Sequence, residues 1–467
     1  MQIVVLIAFV VALTLADLTP VVASRWLVIP AMVMYLAGSA AVGAIRTALS
    51  LRAMARRPGF LPGAFRRYRL MTVAGQGWLI AGLAGLVAVG YGRWVLDDLA
   101  LVWVPLAGEV VILCPFVAAL ILSWLLEYPL YRTMWARIAR QQALAGLPVR
   151  TGWTLGEFLG YNVRHHLLFV AVPVGLILLL GDGLRLLHPY WPEPWADGVT
   201  VGGSLASAGA VFLCAPLLIV RIWRTEPLPA GRLRDDLQRL CRDMKLRCRD
   251  LLIWRSGGMI ANAGVMGLIG KVRYVLLSDA LLEQMDEREI RSIFAHEAGH
   301  IVSHHLFYAM LFALSSVTLC SAAVELLAAG LALEWWAGQL LTLAALMATW
   351  GLGFGWISRR FERQSDVTAA WLSAVEGPRP DGRITPEGAV IFARALEDVA
   401  RINGVSPRQW NWRHGSIASR VGYVMWLGST AGTRAAADRT ARRIKLALWA
   451  AAVASAVILL VRLALGI

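Results

Sequence analysis

The sequence is organised around residues 293–300, which read Ile293-Phe294-Ala295-His296-Glu297-Ala298-Gly299-His300. The stretch contains a His-Glu-x-x-His motif, and Asp286 followed by Glu289 is a capping-box pattern that predicts a helix beginning directly after Asp286. On that helix His296 and His300 lie one turn apart on the same face. Two imidazoles so placed can bind one Zn²⁺ and leave Glu297 beside an open coordination position. The motif therefore predicts a metal centre that activates water for attack on a carbonyl, with Glu297 taking the proton.

A catalytic zinc site needs a third protein ligand, and three side chains can be compared for that role. His304 lies two turns, about 12 Å, from His296, too far to share one ion through bonds of about 2 Å. Glu325 lies inside an apolar run, where a membrane-embedded side chain facing other helices is the better interpretation. Glu362 and Asp366 lie one helical turn apart, which suits a ligand and a carboxylate that orients a zinc-bound histidine. The spacing favours Glu362.

Further motifs flank these residues. Residues 273–282 precede the motif helix with a strand-like run and Ser-Asp-Ala-Leu-Leu, and Asn262-Ala263 lies upstream of them. His414-Gly415-Ser416 and Arg420 follow downstream. Together, residues 262–420 resemble the core of the integral-membrane zinc metallopeptidase family that includes HtpX and the type I CAAX prenyl proteases. Gly415 replaces the proline that is usual in that family.

The resemblance implies a multi-pass α-helical membrane protein with a small α+β zincin-like catalytic domain. His296, His300 and Glu362 would bind one Zn²⁺ per chain, and Glu297 would act as general base. The downstream segment would place His414 and Arg420 at the substrate and the tetrahedral intermediate. Asp366 would orient a zinc-bound histidine. Asn262 and Ala263 would lie on the edge strand that pairs with bound substrate.

Composition agrees with a membrane protein, because 58% of the residues are hydrophobic and the mean hydropathy is +0.61. The apolar runs predict membrane-spanning segments near residues 2–18, 26–45, 71–91, 100–126, 167–181, 202–222, 306–330, 335–357 and 446–466. The net charge of +15 comes from arginines between these runs, so it reflects membrane topology and no nucleic-acid partner is expected. The five cysteines predict no disulfide.

Arginines are concentrated in residues 46–70 and 132–164, whereas the alternate connections hold few cations. The positive-inside rule then puts the arginine-rich connections and both halves of the proposed zinc site in the cytoplasm. We expect a cell membrane protein, of the bacterial inner membrane, that consists of five parts. These are an N-terminal membrane region at 1–222, peptidase segments at 223–305 and 358–445, two membrane helices at 306–357, and a last one at 446–467.

Local patterns predict the elements of the cytoplasmic part. A basic amphipathic helix is expected at Arg232–Cys248, and two strands at Met259–Gly267 and Val272–Leu277 are expected to form a hairpin. Thr385 and Pro386 predict the start of a helix that ends near Ile402. The remaining histidines at segment ends are assigned to interfacial solvation and to no metal; they are His165, His166, His304 and His305.

The sequence thus predicts a zinc metalloendopeptidase of the lipid bilayer that acts on membrane proteins, in their quality control, or on lipidated peptides in CAAX-like processing. A catalytically silent scaffold is a weaker hypothesis, because every residue of the motif is present. An intramembrane protease of the site-2 type is disfavoured, because charged residues precede the motif and Glu362 lies in a charged helix. The oligomeric state does not follow from the sequence.

Overall fold

The computed structural model describes residues 1–467 apart from 16–24, 57–60, 102–103, 145–150, 194, 259, 332 and 466–467. The chain divides into two compact units, Met1–Arg224 and Thr225–Ile467. Within the described residues, eight helices are long and apolar enough to cross a membrane. The chain is therefore a multi-pass α-helical membrane protein that carries a small sheet, which confirms the predicted fold class.

The described residues of the N-terminal unit contain helices and no strand. Its helices are α1 Gln2–Leu15, α2 Val28–Arg56, α3 Leu61–Ala88, α4 Tyr91–Arg93, α5 Ala107–Leu144, α6 Leu155–Asn162, α7 Phe169–Leu187 and α8 Ala196–Ile222. The predicted first span ends at residue 18, and its last residues lie outside the described part of the chain. A π-helical segment at 163–168 joins α6 to α7, so the predicted span 167–181 is part of a longer helical run, Leu155–Tyr190.

Two polar residues of this unit differ from their predicted setting. Arg46, expected in a connection, lies within α2 and is 5% exposed; its guanidinium donates hydrogen bonds to Glu127 (2.8 Å) and to Ser123 Oγ (3.2 Å) on α5. His165, expected to be solvated at an interface, is buried and stacks on Tyr161 with ring centroids 4.0 Å apart. The η nitrogen of Arg46 thus has two partners on α5, and Nδ1 of His165 lies 3.0 Å from the carbonyl of Tyr161, which offsets part of the cost of burying these groups.

The C-terminal unit combines a sheet with helices that surround it. Its elements are β1 Glu226–Pro227, α9 Arg232–Asp243, β2 Asp250–Trp254, β3 Ala263–Met266, β4 Tyr274–Ser278, α10 Asp279–Gln284, α11 Glu287–Val302, α12 His305–Gly330, α13 Trp335–Ala348, α14 Gly355–Leu372, α15 Pro386–Ile402, α16 Ile417–Ser429 and α17 Ala435–Leu465. Its candidate membrane spans are His305–Gly330, Ala337–Leu372 and Ala435–Leu465, so the middle span, predicted at 335–357, continues from α13 into α14.

The described strands form one sheet in the order β1-β2-β4-β3. β3 and β4 pair antiparallel, which confirms the predicted hairpin. β3 is shorter than expected at both ends: it begins at Ala263, and Gly267 leaves the strand with φ +108°. β2 was not predicted; it pairs parallel with β4, and Leu251–Trp254 are all buried. A strand buried on both faces lacks the alternation by which strands are recognised.

The helices α11 and α15 begin where their capping residues predict. Asp286 and Glu289 form both hydrogen bonds of the capping box at the start of α11, and Thr385 caps α15 by accepting from the Gly388 N–H. α9 ends at Asp243, five residues before its predicted end, because Lys245 turns the backbone with φ +53°. The apolar faces of α11, α14 and α15 meet the sheet in one core that includes Phe294, Val367 and Phe392.

Candidate metal centre and active site

Three potential metal ligands converge where α11 packs on α14. Nε2 of His296 lies 3.3 Å from Nε2 of His300, and these two nitrogens lie 3.5 Å from Oε2 and Oε1 of Glu362 respectively. Tetrahedral ligands bound at about 2.0–2.1 Å to one ion are about 3.3 Å apart. The separations and the donor set of two imidazoles and one carboxylate therefore fit a zinc ion. Glu325 is not part of this cluster, because it forms an ion pair with Arg462 on α17.

Glu297 lines a cleft of about 440 Å³ together with His296, His300 and Glu362. Burial raises the pKa of the Glu297 carboxyl to about 7. A carboxylate with a pKa near neutral pH is well matched to accepting and returning a proton. Burial also lowers the pKa of His300 to about 4, which keeps this imidazole neutral, as a metal ligand must be.

A buried ion-pair network supports His296 and Glu362. Oδ1 of Asp366 lies 3.0 Å from Nδ1 of His296, on the side of the ring opposite Nε2. Burial alone would lower the pKa of His296, but the contacts with Asp366 and Glu362 raise it to about 9. Arg420 donates two hydrogen bonds to Asp366, from Nε (2.9 Å) and from an η nitrogen (2.5 Å), and lies 3.3 Å from Oε2 of Glu362. The guanidinium thus holds both carboxylates.

His414 approaches Glu362 from the loop that precedes α16, with its Nδ1 2.8 Å from Oε1. Gly415 makes this turn with φ +74° and exchanges two backbone hydrogen bonds with Asn411. The loop is anchored by Trp412, whose indole N–H donates to the carbonyl of Gly351 (2.6 Å). That carbonyl belongs to a π-helical segment at 349–354, where the wider helical turn changes which backbone groups are paired.

The edge of the sheet forms one wall of the cleft. β3 is an outer strand among the described strands, and Asn262, Ala263 and Val265 line the cleft opposite α11. Asn403, which caps the end of α15, binds both backbone groups of Ala261 by accepting from its N–H (3.0 Å) and donating to its carbonyl (2.8 Å). These bonds fix where the chain enters β3. An extended peptide could add to such an edge.

One neighbour of the ligands has a different setting from the one that the sequence predicts. His305, expected to be solvated at an interface, is 4% exposed, and its Nδ1 lies 2.9 Å from Nδ1 of His300. Its Nε2 lies 2.9 Å from Oε1 of Gln364 on α14. The turn between α11 and α12, in which His304 has φ +56°, directs His305 back toward the site. No short motif in the sequence signals this contact.

The comparisons with known proteins address the same segment. A family model described as "Peptidase family M48" matches residues 227–387, which include His296, Glu297, His300, Glu362 and Asp366. A solved structure titled "Crystal Structure of S. mikatae Ste24p" is similar with a TM-score of 0.47 and 16% sequence identity, over 85% of this chain and 99% of that chain. Among curated proteins, none matches the chain significantly. Residues 227–387 of this membrane protein, about a third of the chain, are therefore similar to peptidase family M48, a family of metallopeptidases.

Proposed function

We propose that the protein is a zinc-dependent endopeptidase that cleaves segments of membrane proteins. The observation that supports this most directly is the cluster of His296, His300 and Glu362, whose contacting atoms lie 3.3–3.5 Å apart, beside a half-buried Glu297. A surface cluster of histidines and carboxylates would not be expected to combine tetrahedral spacing with a neighbouring proton acceptor in a cleft. The arrangement is that of a hydrolytic metal centre.

The chain's own groups take the following roles. When bound, a zinc ion supplies Lewis acidity that lowers the pKa of a water molecule and polarises the scissile carbonyl. The Glu297 carboxylate accepts the proton of the attacking water and later delivers it to the amide nitrogen of the leaving group. Asp366 orients His296, whereas His414 and Arg420 hold Glu362 and stand beside the position where negative charge develops. Asn262 and Ala263 receive the substrate backbone along the edge of β3.

The cleft also favours apolar substrates at the level of the bilayer. Its wall includes Leu306 and Phe307, which are in the first turn of the membrane-crossing helix α12, and Phe354 beside α14. We therefore propose unfolded segments of membrane proteins as substrates, in quality control. The same apolar wall supports a second candidate, the processing of lipidated peptides, because an acyl or prenyl chain would gain about 0.8 kcal/mol per buried methylene there.

The site is proposed to face the cytoplasm of a bacterial inner membrane, as the arginine distribution indicates. Ser429 on α16 is exposed and can report this orientation. In a variant without the native cysteines, Ser429→Cys should react with a membrane-impermeant maleimide only after the cells are opened. Labelling of intact cells would reverse the proposed orientation.

The test of function is cleavage of casein and of an unstable membrane protein by the detergent-purified full-length enzyme. We expect activity that a chelator removes and zinc restores, and that Glu297→Gln lowers by at least about 1,000-fold, since the proton acceptor is lost while the ligands remain. Glu376→Gln, at an exposed carboxylate outside the cleft-lining residues, is the matched control and should keep full activity.

A matched pair of peptides, with and without a C-terminal lipid, separates the two substrate classes. Preference for the lipidated peptide together with no cleavage of the membrane protein would select processing over quality control. Equal background for wild type and Glu297→Gln, in protein that binds no zinc, would overturn the proposed peptidase activity and favour a silent scaffold.

A further inference from the structure

His305 is held rigidly beside the ligand His300. It is the first residue of α12 and is buried, and its ring stacks on Phe361 of α14 with centroids 4.2 Å apart and planes 5° from parallel. Both ring nitrogens have a partner within 2.9 Å, one on α11 and one on α14. The ring therefore has one orientation, fixed by packing above it and by hydrogen bonds at both nitrogens.

The hydrogen bonds can be followed atom by atom once the roles of His300 are assigned. Its Nε2 faces His296 and Glu362, so a neutral His300 that binds metal through Nε2 carries its proton on Nδ1. That Nδ1–H donates to Nδ1 of His305, which must then be the unprotonated nitrogen. The proton of His305 is on Nε2 and is donated to Oε1 of Gln364.

The series of hydrogen bonds continues to the C-terminal helix α17, and each donor in it faces an acceptor. The amide group of Gln364 donates from Nε2 to Oδ1 of Asp438 on α17 (2.7 Å), and Arg434 donates from Nε to the other carboxylate oxygen (2.9 Å). Because Asp438 can only accept, it fixes which way the Gln364 amide points, and that amide in turn fixes the tautomer of His305. Every proton in the series has one acceptor.

The two ligand histidines are thus supported by different chemistry. His296 faces the carboxylate of Asp366, whereas His300 faces a neutral imidazole. The site already contains the acidic groups Glu297, Glu362 and Asp366 close to the guanidinium of Arg420. An additional buried carboxylate behind His300 would need its own counter-charge, and a neutral acceptor avoids this cost.

We propose that His305 is a positioning residue for the metal centre: it accepts the Nδ1–H of His300 and so fixes the tautomer and ring direction that His300 needs to bind the ion through Nε2. The proposal rests on the proposed zinc site. A core histidine satisfied by Gln364 alone would need no particular neighbour at Nδ1, whereas here that nitrogen faces a ligand. Groups that orient metal-bound histidines typically contribute 10- to 100-fold to metal affinity.

The test measures zinc affinity of the full-length protein in detergent by competition with a chromophoric chelator, together with the melting temperature of each metal-free variant. His305→Phe keeps the stack on Phe361 but removes both nitrogens, and we expect at least about 10-fold weaker zinc binding. His305→Asn offers an acceptor oxygen near the position of Nδ1, so its affinity should stay within about three-fold of the wild type. His188→Phe, at a half-exposed histidine of the N-terminal unit, is the matched control and should bind zinc as the wild type does.

The outcomes separate this inference from the proposed function. Wild-type zinc binding that His305→Phe leaves unchanged would overturn the positioning role while the peptidase site stands. Equal losses in His305→Phe and His305→Asn that follow their melting temperatures would overturn it in favour of a packing role. If wild type binds no zinc, both proposals fail. If His305→Phe does not fold, Gln364→Leu tests the positioning role instead. It removes the group that sets the tautomer of His305, so we expect it to weaken zinc binding several-fold.

Discussion

Arg420 forms ion pairs with two buried carboxylates of the site. Its side chain is 13% exposed and forms a bidentate ion pair with Asp366, which is 2% exposed, while also reaching Glu362. These contacts raise the already high pKa of the guanidinium further against the effect of burial, so it stays charged. The sequence suggested that Arg420 supports the substrate and the reaction intermediate. The geometry adds a role in the resting protein, since it neutralises two carboxylates away from water.

Replacing Arg420 with methionine is therefore expected to destabilise the protein. It would leave Asp366 buried without its counter-charge, a loss of about 3–5 kcal/mol in the free energy of unfolding. Arg401→Met is the control, because that exposed arginine pairs with Asp398 at i,i+3 and should matter by less than about 1 kcal/mol. Denaturant unfolding of both variants in detergent checks the difference. Equal stabilities would mean that Asp366 is solvated or protonated without Arg420.

The backbone of Gly415 orients a neighbouring residue of the site. Its φ of +74° and its N–H donation to the Asn411 carbonyl (2.8 Å) set the direction of His414. Proline cannot adopt positive φ and has no N–H.

We expect Gly415→Pro to lower kcat/KM by about 10-fold or more while zinc content stays unchanged, because His414 moves away from Glu362. Gly415→Asn is the conservative comparison, since asparagine tolerates left-handed backbone, and it should keep most of the activity. Peptide cleavage and metal analysis of the two purified variants test this. A fully active proline variant would show that the direction of His414 is irrelevant to turnover.

At the scale of elements, the approach of α11 to α14 sets the size of the metal site. A Cβ on Gly299 would lie 3.3 Å from Cα of Ser365, so the missing side chain lets the two helices come close. His300 follows Gly299 directly and Glu362 lies one turn before Ser365. The 3.5 Å separation of His300 and Glu362 therefore depends on this contact.

Gly299→Val should separate the helices and weaken zinc affinity by at least about 10-fold, with about 1–3 kcal/mol of lost stability from overpacking. Gly422→Val on α16 is the control of the same chemistry, because a side chain there meets open space. Chelator competition on both variants provides the measurement. Unaltered affinity in Gly299→Val would mean that the helices can adjust without moving the ligands.

At the scale of the whole chain, the proposed metal joins segments separated by two membrane-crossing helices. His296 and His300 precede α12 and α13, and Glu362 follows them on α14. The same region is also connected through α17, where Lys445 donates to the carbonyl of Ser303 (2.7 Å) and Arg462 pairs with Glu325. A bound ion would act as one more cross-link within the C-terminal unit.

Zinc should accordingly stabilise the folded protein. At a free zinc concentration of about 100 times Kd, binding to the native state contributes about 2.7 kcal/mol, so removal with a chelator should lower the melting temperature by several degrees. Glu362→Gln should abolish this zinc-dependent shift, whereas Glu376→Gln should retain it. Melting curves with and without zinc test the prediction, and a shift that persists in Glu362→Gln would indicate that the ion binds elsewhere.

Local interactions explain what the sequence could determine. The capping box of α11, the Thr385 cap of α15 and the shared face of His296 and His300 depend on residues three or four positions apart, where helix geometry leaves little freedom. The apolar runs indicated the eight helices of the described residues that are long and apolar enough to cross a membrane, because hydrocarbon excludes unpaired polar groups over that length, whereas the predicted span at 2–18 is not among the eight. The hairpin of β3 and β4 was likewise encoded by its turn and flanking strands.

Tertiary structure decided the contacts between distant residues. The burial of Arg46, the pairing of Arg420 with Asp366 and the contact of His305 with Gln364 each depend on how helices pack. A polar side chain is buried only where a partner satisfies it, and the partner's position is not visible in the neighbouring sequence. The residue types of the metal centre were thus determined locally, whereas its spacing and its supporting hydrogen bonds were decided by the fold.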